Sequence, residues 1–286
     1  MHITLIMIVT FIACCARVGT GPWKYWQINA KYFSDDQGIF SKLSIDKLIP
    51  ERWRLFQSID NENISPTHYP VFLKPEWGQN AHGIHRADDQ YELNRLRVEL
   101  SGKPQRYMLQ QAAQEQHEYE IFNIKARQQD NERDVITVTE AVNGNEDYPI
   151  NSKYNRHTRY IDVSAQFTTD QLAQLSGFIS EIGDFGISRM SVRADSHAEL
   201  LAGHFHVIEI NLFLPMPINL LDSSYSWKQR LGFIGSTMMS LAHATKAIKP
   251  AKKPQPIFAK MVLYGREKKR KSSTQGMSTA TRRTIL

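Results

Sequence analysis

The stretch TTDQLAQLSGFISEI, residues 168–182, leaves this chain little freedom. Leu172, Leu175, Phe178, Ile179 and Ile182 recur at three- and four-residue steps and fall on one side of a helix. Thr168 and Gln171 have the spacing of a capping box, which satisfies the helix's first free amides. A helix with one apolar stripe must lay it on something, and the next residues read as the partner. GISRMSVRAD and FHVIEINLF have the pattern of two strands, separated by SHAELLAG, which has room for one or two helical turns closing on Gly203. Upstream, SKLSIDKLIPERW predicts a short helix stopped by Pro50, and strands are expected at Pro70–Lys74 and Tyr107–Gln111. HEYEIFNIKAR sets Tyr119, Ile121 and Asn123 against Glu118, Glu120 and Phe122, a strand with two unlike faces, and NERDVITVTEAV reads as another strand after a polar turn. Helices and strands mixed in this order, with neighbouring strands antiparallel, predict an α+β fold without internal repeats.

Charge argues against a nucleic-acid surface on the body of the chain. Beyond Gly265 there are seven cations and one carboxylate, so the entire formal charge of +6 lies in residues 266–286 and the rest is neutral. That Ser/Thr-rich basic end reads as a disordered, solvated tail, with an anionic membrane or nucleic acid as the lesser alternative. The two cysteines, Cys14 and Cys15, are adjacent and do not suit a mutual bridge, so neither a disulfide framework nor a cysteine-based zinc site is expected. ITLIMIVTFIACCA, Ile3 to Ala16, is shorter than the ~20 residues of a membrane-spanning helix. It has the length of a signal-peptide core but lacks a preceding cation, and GPWKYW follows it. A cleaved signal, a short anchor and a domain remnant remain as three readings, and membrane contact through this segment goes with the second.

Residues two apart on a strand share a face, so Glu209 and Asn211 point together, as do Arg189, Ser191 and Arg193. A carboxylate beside an amide oxygen offers hard ligands to Mg²⁺, and the bland alternative is a strand end meeting solvent. Two arginines on one face call for anions, either salt-bridge partners or phosphates. In YPVFLKPEWGQNAHG, Lys74 leaves a strand end toward solvent and precedes a loop bracketed by Gly78 and Gly83, able to fold backbone amides over a phosphate. HGIH (His82, His85) and HFH (His204, His206) could each share a metal, but no third ligand is fixed by spacing; His82 and His85 read as loop residues.

PVFLKPEWGQNAHGI, MLQQAAQEQHEYEIF, RMSVRAD and VIEIN, taken in that order, resemble the ATP-grasp superfamily, most closely its D-alanine–D-alanine ligase-like branch, over about Ser41 to Gly265. The resemblance implies an ATP-grasp fold of two α+β subdomains, 41–113 and 114–265, with the nucleotide cleft between them. The family's front substrate domain would be shortened to residues 1–40, and the basic tail would follow at 266–286. It implies Lys42 and Lys74 on the nucleotide phosphates, Gly78 to Gly83 as the covering loop, Gln111 to Gln114 as the linker beside the adenine, and Glu118 on the ribose. It further implies Lys153 on the triphosphate, Arg189 on the transferred phosphoryl group, and Glu209 and Asn211 on magnesium. ATP and Mg²⁺ are thus the expected cofactors, and a small carboxylate and an amine the expected substrates, joined through an acylphosphate. A cytoplasmic protein, membrane-associated if the anchor reading holds, is expected.

The chain also departs from that pattern. Where the family has R-x-D, this sequence has Arg189-Met190-Ser191, and a hydroxyl does not replace a carboxylate's charge at a metal. LFLPMPINLLD after Asn211 replaces the small-residue turn of the dipeptide ligases, so their substrates do not transfer. A nucleotide-binding protein without turnover is therefore the alternative to a carboxylate–amine ligase, and a phosphotransferase that stops at the phosphorylated substrate is a third reading.

Overall fold

The chain begins with α1 (Ile3–Val18) and reaches α2 (Lys42–Asp46) through two short 3-10 segments. Ser41 caps α2, its hydroxyl accepting from the Ser44 amide, and the helix ends well before Pro50. A first sheet is built from β1 (Gln57–Ile59), β2 (Val71–Pro75), β3 (His85–Ala87) and β4 (Tyr107–Gln111), in the order β1-β4-β2-β3 with every pair antiparallel. Helix α3 (Gln90–Leu100) joins β3 to β4. Its Leu93, Leu96 and Leu100, spaced to one side, pack on Val71, Leu73 and Leu109 of the sheet. In this computed structural model the described residues are 3–61, 63–78, 81–103, 105–126, 134–249 and 253–265.

The second sheet comprises β5 (His117–Ile124), β6 (Val135–Val142), β7 (Arg159–Asp162), β8 (Ile187–Ala194) and β9 (His206–Asn211), ordered β7-β6-β5-β8-β9 and again antiparallel throughout. Helices α4 (Thr169–Ile182) and α5 (His197–Ala202) interrupt it in sequence, and α6 (Trp227–Lys246) follows it. The capping box at Thr168 and Gln171 forms as expected, and Leu175, Ile179 and Ile182 of α4 bury against Tyr119, Ile121, Val138, Met190 and Val192. Trp53 completes this core, stacked on Phe205 at 4.8 Å with its indole N–H donating to the Gly203 carbonyl at 2.8 Å. Burial of each such large apolar side chain contributes roughly 1.5–3 kcal/mol.

The two faces of β5 differ as the period-two pattern predicts. Tyr119 and Ile121 enter the α4 core, whereas Phe122 and Ile124 join Ile187 under α1 and α6, and Glu118 and Glu120 continue that second face beyond the helices' cover. Strict alternation along β9 predicts Ile208 and Ile210 together in the core, but a register shift between Ser191 and Val192 breaks it, so Val207 and Ile210 are core residues while Ile208 turns to the open face.

Helix α1 lies along α6, with Cys14, Cys15 and Phe11 in their shared core together with Ile234, Met238 and Leu241. Its other side carries Leu5, Ile8, Val9 and Ile12, all about half exposed. Among the described residues no helix is long and apolar enough to cross a membrane. The basic tail at 266–286 lies outside the described residues, as do Gln79 and Asn80 of the glycine-bracketed loop.

Candidate functional site

Gln110, buried on β4, bridges the two sheets. Its amide nitrogen donates to Gln57 Oε1 at 2.9 Å and to the Ile208 carbonyl of β9 at 3.0 Å, and its amide oxygen accepts from the Lys74 ammonium. Where the sheets diverge above this contact they leave a cleft of about 360 Å³. Strands β2 and β4 supply Phe72, Lys74 and Gln111, and the second sheet supplies Glu118, Glu120, Arg189, Ser191, Arg193, Glu209 and Asn211. Phe213, Leu214, Met216 and Ile218, from the segment after β9, form an apolar wall.

Strands β8 and β9 pair as antiparallel neighbours. Arg189 lies opposite Asn211, and Ser191 opposite Glu209. Across β8 in the other direction Ser191 faces Glu120 and Arg193 faces Glu118. The anions that the two arginines require are partly internal: Arg189 Nε is 3.0 Å from Glu120 Oε2, while Arg193 donates to the carbonyls of Ala113 and Gln116 at 3.3 and 3.0 Å and so holds the linker between the sheets.

Lys74 is not the solvent-facing strand end expected from its position before Pro75; it is 6% exposed. Burial pulls its ammonium down to a pKa of about 8, with Glu209 opposing and Lys42 adding to the fall. Glu209 shows the complement. Burial alone would raise its carboxyl, but Lys42, Lys74 and Arg189 outweigh that and hold it below the usual range, with Lys42 Nζ 3.3 Å from its Oε1. Glu118 is different again: burial and the neighbouring Glu120 push it up to about 7, against a 3.0 Å hydrogen bond from Asn151 Nδ2 and the charges of Arg193 and Lys74. Beneath Lys42, Lys74 and Glu209 a smaller cavity of about 20 Å³ reaches Asp46, whose carboxyl burial raises to about 6.

Lys42, Lys74, Gly78, Gln111, Glu118, Lys153, Arg189, Glu209 and Asn211 therefore all line one cleft. Lys153 stands exposed at its mouth, 5.0 Å from the Tyr154 ring. Gly83 and Gln114 are outside the lining. Gly83 holds the left-handed conformation (φ 77°) that lets the loop turn back toward Tyr107, and Gln114 is turned away to accept from the Tyr148 hydroxyl at 2.6 Å. Of the four histidines in HGIH and HFH, His82 reaches the cleft; His85 lies by Tyr107, and His204 and His206 pair separately with Glu199 and Glu115. Among the described residues no three acidic, imidazole or thiolate groups gather as metal ligands. Gln110, Asn151, Tyr160 and Glu120 were not singled out for the site from sequence. Only Glu120 had a signal there, two residues beyond Glu118 on the same strand face.

No protein-family model matches the chain, and no curated protein matches it. Solved structures that match the chain include the L-amino acid ligase from Bacillus licheniformis, at 15% identity and a TM-score of 0.45, covering 72% of this chain and 47% of that one. The VanG D-Ala:D-Ser ligase from Enterococcus faecalis matches at 13% identity and a TM-score of 0.49, covering 76% and 69%. The D-alanine–D-alanine ligase from Helicobacter pylori matches at 15% and 0.45, covering 75% and 59%. The chain thus spans about half the length of the first of these and about three-fifths of the last.

Proposed function

We propose that this chain binds ATP between its two sheets and acts as an ATP-dependent carboxylate–amine ligase of the ATP-grasp type. The observation that carries this reading is the convergence of three cations, Lys42, Lys74 and Arg189, with the oxygen ligands Glu209 and Asn211 on one cleft. Five such groups from both sheets and α2 suit a polyphosphate, whose charge needs cations on one side and a metal on the other.

In this reading Lys74 and Lys42 bind the phosphate chain, and Lys74, with a pKa of about 8, still carries its charge at neutral pH. Gln111 and the linker held by Arg193 border the base, and Glu118 exchanges its Asn151 bond for the ribose hydroxyls. A substrate carboxylate oxygen attacks the γ-phosphorus as the bond to ADP breaks. Arg189 meets the charge on the transferred group. The resulting acylphosphate is attacked at its acyl carbon by an amine, phosphate leaves with the bonding pair, and the amine's proton is released. Gly78, Ala81 and His82, with the apolar wall of Phe213, Leu214, Met216 and Ile218, keep water from the acylphosphate.

Magnesium fits the residues present to a limited degree. Glu209 is held ionised and Asn211 offers an amide oxygen that also accepts from the Phe213 amide at 3.1 Å, so phosphates and water would complete the ion's shell. When bound, the ion would neutralise charge on the phosphates. The reading is tested by phosphate release from Mg·ATP with a panel of amino acids and small peptides. Release that needs both a carboxylate and an amine is expected; nucleotide binding without release under any pairing would favour the second reading, a binding protein without turnover. Two features support that second reading: Ser191 in place of a carboxylate, and the internal pairing of Lys42 with Glu209 and of Arg189 with Glu120. Ser191→Asp should then raise ATP consumption many-fold, whereas an active native enzyme gains little.

A further inference from the structure

Four side chains form a row across the cleft face of the second sheet: Thr139 on β6, Glu120 on β5, Ser191 on β8 and Glu209 on β9, each opposite the next in register. Ser191 is the short member, flanked on both sides by longer acids. The backbones of β5 and β9 lie two strand spacings apart, about 9.6 Å, so the two glutamates, now turned to Arg189 and to Lys42, have the reach to meet above Ser191 when they swing from those partners. The register shift next to Ser191 re-aims β9 and keeps Glu209 in the row; without it Ile208 would stand there.

Its ion pair with Arg189 accounts for the charge of Glu120 but not for its hydrogen bonding. It is 9% exposed, it faces the cleft, and its Oε2 makes no hydrogen bond. Arg189 Nε is 3.0 Å away but misaligned, and that nitrogen too lacks a hydrogen bond. Thr139, fully buried beside it, has a hydroxyl with no partner. A buried carboxylate whose oxygen is charge-compensated yet not hydrogen-bonded is poorly served by the protein alone. A hard cation would complete it, since magnesium-like ions take one or two carboxylates and fill the rest of their shell with phosphate and water oxygens.

We infer that Glu120, reaching across from β5, supplies the metal-binding carboxylate that position 191 lacks, and that Glu120 and Glu209 together hold one divalent cation above Ser191. The inference deepens the proposed function and rests on it for the role of the ion, but the site itself can be tested without nucleotide. Binding of Mn²⁺ alone to the full chain, read by electron paramagnetic resonance, is the measurement. The unaltered protein should bind one ion, and both E120Q and E209Q should weaken it by more than about tenfold. In E120Q, adding S191D should recover most of the loss, because a carboxylate returns to the same point from the neighbouring strand. A structural role for Glu120 would not be restored in that way.

Should E120Q fail to fold, E120D keeps the charge beside Arg189 but shortens the reach, and is expected to weaken Mn²⁺ binding while leaving thermal unfolding near that of the unaltered chain. Absence of Mn²⁺ binding into the millimolar range, or equal binding in E120Q or E120D and the unaltered chain, would overturn the inference. If those variants bind Mn²⁺ normally and carboxylate-dependent phosphate release persists, this inference falls and the ligase reading stands. If Mn²⁺ binding follows Glu120 yet no ATP is consumed, the reverse holds.

Discussion

Lys74 shows how far a single residue's surroundings can depart from its position in the sequence. A lysine at the end of a five-residue strand would ordinarily extend into water, yet here β4 and β9 close over it and its ammonium rests on Gln110. Its native pKa, about 8, is below the unfolded value of 10.5, so the native state binds fewer protons between those two values. Stability attributable to Lys74 therefore rises as pH goes from about 8 to about 10.5, and below about 8 the cost of burying the charge is present in full. The span corresponds to about 3 kcal/mol. Lys74→Met should remove this rise, measured by denaturant unfolding of both proteins across that range, while the Gln110 oxygen and Glu209 lose a buried partner at every pH. The same variant should weaken ATP binding by more than about tenfold in calorimetry, since the lost group is a charged donor. Unchanged affinity with a lost pH slope would mean that Lys74 is buried for structural reasons alone.

At the scale of elements, α4 was legible because its stripe and cap agree, and α3 carries the same kind of signal in a quieter form. Asp89 accepts from the Glu92 amide at 2.8 Å, the Glu92 carboxylate accepts from the Asp88 amide at 2.9 Å, and three leucines follow on one side. Charged residues between those leucines obscure the helix in sequence. Helix α6 is hard to read in sequence for a related reason: Ser226 and Gln229 form a capping box like that of α4, but Gly232 and Gly235 dilute the pattern that follows. Asp89→Ala should destabilise the protein by about 1 kcal/mol, the usual value of a lost N-cap, in a denaturant titration. Unchanged stability would mean that packing on the first sheet holds α3 without its cap. Strand β7 is too short and too exposed to be read from alternation, and exists because its backbone pairs with β6.

For the whole molecule, the cleft depends on two sheets that share few direct contacts at its floor, chiefly the Gln110 bond to Ile208. A ligand bridging both sheets should therefore stabilise the chain as a unit. Mg·ATP at about 100 times its dissociation constant is expected to add about 2.7 kcal/mol and move the whole unfolding transition upward. Two transitions, with only one responding, would show that the nucleotide touches a single sheet. The sequence alone determined the α+β class, the main strands, the capped helix α4 and the shared faces of Arg189 with Ser191 and of Glu209 with Asn211, because period and spacing are local properties of the backbone. Only tertiary structure decided that Lys74 is buried, that Gln114 turns away, that Ile208 leaves the core at a shifted register, and that Glu120 stands across from Ser191. Each of these depends on which strand lies beside which, and side-chain contacts between strands far apart in the chain leave no trace in the spacing of either one.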